Sequence, residues 1–350
     1  MSHSPRPDKN ITVRDIAAAV GVHHSTVSLA LRNHPRISEA TRAKVRQKAD
    51  EMGYRPDPML SALASYRLKQ NQQKITSSLA LLNAWSAPDK LRQFKEFARF
   101  CEGAEARAAE LGYQLEEFHF GPKFPPAKLH RILQTRNIRG IILPPHLEQP
   151  DWGDFPWEHY SLIKYGRSLD HPGCHLVIPA HVTNTYIAYE NILRLGYRRI
   201  GFVAFAAELR ERRILFELGY QAAQASIDPA GNLKPFLFSS YDPLPEITQF
   251  RDWLEEEKPD AIFTTLPKLQ NMIEAAGFEV PRDIGLAATT ILDTPIPAGI
   301  RQNPSEIGRV AVSGLHSLMI QSQRGVPEKP RQVLVEGSWI DGETMPPRHP

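Results

Sequence analysis

The sequence predicts an all-α helix-turn-helix head with a hinge helix, joined to a larger α/β body built on parallel sheets. Three observations carry this. Two short apolar-periodic segments flank Gly21, and a third follows directly. Pro56 and Pro58 then close that block, because neither can continue a helix. Beyond them, short buried-type β runs alternate with amphipathic helical stretches, the pattern of parallel sheets crossed by helices. At 350 residues the chain is too long for one ordinary core and divides into two or three compact units.

Composition narrows the function classes. Hydrophobic residues make up 41% and charged residues 23%, which excludes wholesale disorder. The net charge of +3 decides little. Its distribution says more: basic residues dominate between Arg32 and Lys74 while the remainder is nearly balanced, the footprint of a polyanion-binding module. Cys101 and Cys174 are far apart and lack C-x-x-C spacing, so they read as buried thiols in a reducing compartment rather than a disulfide or a zinc site. The opening MSHSPRPDKN has no secretory pattern and no apolar run reaches membrane-spanning length, so a soluble, cytoplasmic protein is expected.

In the head, Thr12 precedes VRDIAAAV with Asp15 three residues on, a capping-box arrangement. Ile16 and Val20 form its inner stripe, and Gly21-Val22 makes the turn. A second helix starts around His23 to Ser25, with Val27 and Leu31 inward. Ser38 caps a third, EATRAKVRQKADEM, in which Val45, Ala49 and Met52 face inward and Gly53 ends the run. In such a module the second helix projects outward, and side chains at its N-terminal end meet base edges in the major groove. His24, Ser25 and Ser28 lie on those outer faces. Adjacent histidines diverge by about 100° around a helix, so a metal site would need further ligands nearby. Base or phosphate contact is the leading reading for them, passive surface residues the second, and metal the last.

GYRPDPMLSALASYR follows. Pro58 suits a first-turn position of a short helix to Tyr66, and Met59, Leu60, Leu63 and Ala64 have nothing local to bury them. A helix this short is marginal alone and orders only against a second copy or DNA.

The run from Thr12 to Ser65 resembles, without a gap, the DNA-binding head and hinge of the lactose/galactose repressor family of bacterial transcriptional regulators. The TVS core of the second helix, the P-R-I-S turn, T-R-x-K-V and the G-Y-x-P exit carry the likeness. The resemblance implies a homodimer on a near-palindromic double-stranded DNA operator, with paired hinge helices pushing a leucine into the minor groove. Leu63 matches that leucine, and apolar wedges are how minor-groove binders kink DNA. Thr12, Val13, His23, His24, Ser25, Ser28, Leu29, Arg32, Arg36, Thr41, Tyr54 and Leu63 are the expected DNA-contacting set. Family members often carry larger hydrogen-bonding residues at the positions of His24, Ser25 and Leu29. Leu29 can touch a thymine methyl but cannot read guanine, so the operator does not transfer from a relative.

In the body, SLALLNAW, IRGIILPP, HYSLIKYG, GCHLVIP, YRRIGFVAF, PDAIFTTL and DIGLAATTI read as strands. Phe94, Phe97, Cys101, Ala104 and Ala108 share helical spacing, and TYIAYENILRLG and LQNMIEAAG read as further helices. No G-x-G-x-x-G after a strand and no P-loop is present. LGYRRIGFV, VPRDIGLA, GIRQNPSEIGRVAVSGL and VLVEGSWIDGET resemble landmarks of the same family's periplasmic-binding-protein-like body. That implies two Rossmann-like subdomains with an effector cleft between them. The expected division is a head over 1–56, a hinge and linker over 57–75, and a body over 76–350. The first subdomain is expected at about 76–196 and 300–325, the second at about 197–299 and 326–350.

The departures from that family bear on the cleft. Sugar-binding members commonly place an arginine three residues before the glycine in the helix after IGFV; here that residue is Phe216. Ala180-His181 stands where many carry Asp-Asn, Thr290 where an aspartate often follows DIGLA, and Gln302 is retained. Trp85, Tyr165 and Arg167 follow strands directly, where cleft walls belong. With His181, Phe216, Thr290 and Gln302 they form the expected effector set, although each also suits packing or surface roles. The effector is less polar than a sugar or differently shaped, or none is used, or neighbours such as Arg167, Arg210 or Arg213 supply the missing donors. No cofactor, metal or catalytic residue is expected, since the scattered histidines lie in no G-x-S-x-G or H-E-x-x-H context. The competing class is a solute-binding protein with the same body and no regulatory DNA binding.

Overall fold

The computed structural model describes residues 11–31, 37–54, 77–121, 124–146, 148–206, 213–227, 232–239 and 244–348. The expected hinge helix from Pro58 to Tyr66, with Leu63, lies outside these residues, as do Arg32, Arg36 and Arg210. The chain divides into a unit over 1–74 and a unit over 75–350.

The head contains α1 (Val13–Val20), α2 (His24–Leu31) and α3 (Glu39–Glu51). Thr12 and Asp15 make the reciprocal capping box, and Gly21 takes the left-handed conformation at φ +75° that ends α1 within one residue. Ser38 caps α3 by accepting from the Thr41 backbone N–H at 3.3 Å. Ile16, Val20, Val27, Ala30, Val45 and Ala49 are buried together, with Val13, Val22, Leu31, Met52 and Tyr54 packed partly against them.

The body starts with β1 (Ser77–Asn83), α4 (Lys95–Glu110), β2 (Tyr113–His119), α5 (Pro126–Thr135), β3 (Gly140–Leu143), β4 (Ser161–Tyr165) and β5 (His175–Pro179). It continues with α6 (His181–Arg194), β6 (Ile200–Phe205), α7 (Arg213–Ile227), β7 (Phe236–Phe238), α8 (Ile247–Glu257), β8 (Ala261–Thr264), α9 (Leu269–Ala275) and β9 (Gly285–Ala288). It closes with β10 (Gly299–Arg301), α10 (Pro304–Ile320), β11 (Gln332–Val335) and β12 (Ser338–Ile340). The first sheet has the order β11-β5-β4-β3-β1-β2 and is parallel throughout. The second, β12-β10-β9-β8-β6-β7, is parallel except for its β12 edge. Each half therefore repeats the doubly wound 2-1-3-4-5 order, with one added edge strand.

Period-two alternation divides β1 between two layers. Leu79 and Leu81 join Phe100, Ala104, Ile142 and Leu315 on one face, while Ala80 and Leu82 join Leu129, Leu133 and Ile141 on the other. Each buried leucine or isoleucine among them contributes about 1.5–3 kcal/mol. Cys101 and Cys174 are free and buried, and burial pushes both thiols up to about 12. Helices α4 and α10 cross at near backbone contact: a Cβ on Gly103 would lie 2.6 Å from the Ser305 carbonyl carbon, and one on Gly308 would lie 2.7 Å from Ala104 N. Glu110 ties the same pair, accepting from Arg107 and from both Arg309 terminal nitrogens; the Arg309 and Arg107 guanidiniums hold its carboxyl down to about 2.

The subdomain boundaries differ from the sequence expectation. Helix α6 buries Ala188, Tyr189 and Ile192 in the second sheet's core, so the chain crosses at about 180 rather than 196. Strand β10 pairs with β9 in the second sheet, and β11 pairs with β5 in the first, the reverse of the expected assignment. Strands this short declare their sheet by pairing rather than by composition. The crossings are tied to one another. Asn184, fully buried, accepts from Gly337 N at 2.7 Å, and Asn303 Nδ2 donates to Glu336 O at 2.9 Å. Phe94 also differs: it lies just before α4 at 37% exposure rather than in the helix's inner stripe.

Candidate nucleic-acid interface and cleft

The underside of α2 is sealed by Val27 and Ala30, both 0% exposed, which turns its N-terminal side chains outward. His23, His24 and Ser25 are exposed; Ser28 and Leu29 are half-buried. His23 sits immediately before the helix, where its Nδ1 accepts from the Ser25 backbone N–H at 3.4 Å and lies 2.8 Å from the Ser25 hydroxyl. It thereby serves one of the unpaired donors of the first turn. The His24 ring lies 4.1 Å from that of His23. The pair thus divides its labour: one ring is committed to the helix start, the other presented beside it.

The other expected contacts carry structural bonds. Thr12 Oγ1 donates to Asp15 at 2.7 Å, and the Thr41 hydroxyl lies 2.8 Å from that of Ser38. Val13 and Tyr54 pack partly on the head core. Among the described residues, no group of three His, Cys, Asp or Glu side chains is placed to hold a metal ion.

In the body, ligand crevices of doubly wound sheets lie beyond the carboxyl ends of the strands, where the strand order reverses. In the first sheet that point lies between β1 and β3. Trp85 follows β1 there, 9% exposed, donating from Nε1 to Pro145 O at 2.7 Å. His146 follows β3; its Nε2 accepts from Ala84 N at 2.8 Å, which makes Nδ1 the donor to Pro144 O. Burial pushes its pKa down to about 4. Tyr165, the last residue of β3's neighbour β4 rather than a residue following it, stacks on Phe100 at 4.6 Å and donates its hydroxyl to Glu96 Oε1 at 2.5 Å.

In the second half, the His181 ring lies 4.5 Å from that of Phe216, and both residues are buried. Gln302 Nε2 donates to Thr289 O at 2.8 Å, and the Thr290 hydroxyl donates to Glu96 Oε2 at 3.5 Å. The expected effector set therefore falls into groups. Tyr165 and Thr290 meet through one carboxylate, and His181 pairs with Phe216. Arg167 donates from Nη2 to Gln332 in β11 at 2.7 Å, an exposed bond at the sheet edge. Glu96 and Asp293, which sequence reasoning passed over, sit at the centre of the first group. Asp293 lies only three residues beyond the position where an aspartate was missed, and that proximity was the available signal.

A helix-turn-helix followed by two doubly wound halves is the architecture of a bacterial regulatory protein. Residues 12–57 match the family model described as bacterial regulatory proteins, lacI family, and residues 189–345 match a periplasmic binding protein-like domain. The chain is 28% identical over 198 residues to the HTH-type transcriptional regulator DegA of Bacillus subtilis (strain 168), covering 55% of this chain and 54% of that protein. It is 33% identical over 204 residues to the HTH-type transcriptional repressor CytR of Escherichia coli (strain K12), covering 57% and 54%. The match thus spans about half the length of these curated relatives. The structure of a transcriptional regulator CelR–cellobiose complex shares the fold, with a TM-score of 0.54 at 18% identity, over 95% of this chain and 99% of that one. The head is thus similar to the lacI family of bacterial regulatory proteins, and the body to a periplasmic binding protein-like domain.

Proposed function

We propose that the chain is a sequence-specific DNA-binding transcriptional regulator, a homodimeric repressor in the cytoplasm acting on a near-palindromic operator. The carrying observation is α2, whose buried Val27–Ala30 underside presents His24 and Ser25 at the end that enters a major groove. His24 and Ser25 read base edges, and Leu29 contacts a thymine methyl. Thr12, Thr41, Arg32 and Arg36 hold the phosphates, Leu63 wedges the minor groove, and His23 acts by fixing the start of α2. Relatives named as regulators and a repressor support the same reading. A small effector, where one is used, enters between the two halves of the body.

The test is binding of the full chain to duplex DNA fragments across a salt series, with the retained fragments sequenced. A regulator enriches one inverted-repeat sequence, and its affinity falls steeply with salt as phosphate counterions are released. Uniform retention of all sequences, or none, overturns the reading and leaves the body as a solute-binding module.

A further inference from the structure

The two halves of the body touch through a compact polar cluster. Asp293, in the loop after β9, reaches the first residues of α4 in the other half. Its Oδ1 accepts from Lys95 N at 2.8 Å and its Oδ2 from Glu96 N at 3.0 Å. The first N–H groups of a helix have no partners within it and carry the positive end of the helix dipole. Within α4 no side chain performs the capping, because Phe94 precedes it and has no oxygen to offer. The cap comes instead from the opposite half of the body.

Glu96 completes the arrangement. It accepts from Tyr165 of its own half and from Thr290 of the other half. All three side chains are at least partly buried, so these bonds sit in a medium less screening than bulk water. Separating the halves would break the two Asp293 bonds to helix N–H groups and the Thr290 bond to Glu96, while joining them forms all three at once.

We propose that Asp293 and Glu96 form a latch that holds the two subdomains closed, so that the chain's own side chains supply the closure. A molecule entering the cleft then acts on an already closed body, and one that displaces Asp293 or Glu96 opens it. This concerns the body alone and stands independently of the DNA-binding reading.

The test measures the distance between spin labels on the two lips of the cleft, at Lys90→Cys and Lys268→Cys, in the full-length protein. Both positions are exposed, whereas the native thiols are buried and resist labelling. The parent protein should give one short, narrow distance. Asp293→Ala should lengthen and broaden it. Lys95→Pro provides a second route: proline suits the first helical position and removes only the N–H that Oδ1 accepts. The preceding Phe94, extended at ψ 120°, already has the conformation that proline demands. Lys95→Pro should lengthen the distance partially, and it should add nothing in the Asp293→Ala background, because both remove the same bond. A broad, long distance in the parent overturns the latch. So does an unchanged distance in both variants, or a full Lys95→Pro effect without Asp293.

Discussion

Replacing Gly308 by alanine tests how closely α10 must approach α4. Helix propensity alone favours the change by about 1 kcal/mol, since glycine in a helix interior is costly relative to alanine. Packing opposes it. The new Cβ would lie 2.7 Å from Ala104 N and closer still to Phe100 O, against an ordinary carbon contact of about 3.5–4.0 Å. Both neighbours are backbone atoms of a helix, so no side-chain rotation relieves the overlap. The helices must part by roughly an ångström, which overpacking experience prices at about 1–3 kcal/mol and sometimes more. Parting them also loosens Ile307, Ala311 and Leu315 from the core they share with Phe100 and Ala104. The expected net effect is a destabilisation of about 2 kcal/mol, a factor of roughly 30 in the folding equilibrium. Gly314→Ala in the same helix is the control. Its Cβ would meet Ile163 Cδ1 at 3.0 Å, the end of a side chain that can turn, so the outcome should range from neutral to about 1 kcal/mol stabilising. Urea midpoints of the two variants, followed by far-ultraviolet dichroism, decide the matter. Gly308→Ala as stable as Gly314→Ala would show that the backbone approach imposes no constraint.

Four further outcomes are expected. His24→Ala should relax base preference at one symmetric pair of operator positions, whereas Arg36→Ala should weaken all sequences alike and flatten the salt slope by about one unit; fragment selection and salt titration separate them, and uniform losses from both would make His24 a bystander. Leu63→Ala should cost about 1–3 kcal/mol on the operator and much less on random duplex, and equal losses would leave Leu63 with no wedge role. On acidification the unfolded chain takes up the His146 proton near pH 6.5, before the buried folded ring does near 4; stability is therefore full above about 6.5 and falls by up to about 3 kcal/mol towards 4, a slope that His146→Gln should reduce in urea midpoints at pH 7 and 5. Common hexoses, pentoses and their phosphates should give no saturable thermal shift, and a micromolar response to any one of them would show that the missing arginine's role has moved elsewhere.

The head was legible in the sequence because its signals are local. Thr12, Asp15, Gly21 and Ser38 act within four residues of the helix ends they shape, and Ile16 with Val20, Val27 with Leu31 and Val45 with Ala49 each pair at helical spacing. Strands buried on both faces, such as β1 and β6, were equally plain. Strand β2 was not, because YQLEEFH lies at a sheet edge and keeps two glutamates half-exposed. The membership of α6, β10 and β11 was misassigned because it depends on pairings between distant segments. Trp85 follows β1 and Tyr165 ends β4, close to the strand ends at which the sequence placed them, and Arg167 bonds to the β11 edge strand. The Asp293 cap joins residues 198 apart in sequence, and no periodicity or short motif encodes such a bond.

These bonds bear on what could enter the cleft. Gln302 already donates to Thr289 O, Tyr165 and Thr290 already donate to Glu96, and Phe216 lies against His181. A polar ligand would gain only the difference between its own bonds and those it displaces. A sugar hydroxyl facing Phe216 would find no donor or acceptor there, and each unmade bond costs roughly 1–3 kcal/mol. Two or three such losses amount to several kcal/mol, enough to erase the affinity of a small hydroxylated ligand, whose few atoms set a low ceiling on binding. A flat or apolar group loses nothing against Phe216 and leaves the Glu96 bonds intact. If the proposed closure holds, the same side chains select against simple sugars, because they already serve one another.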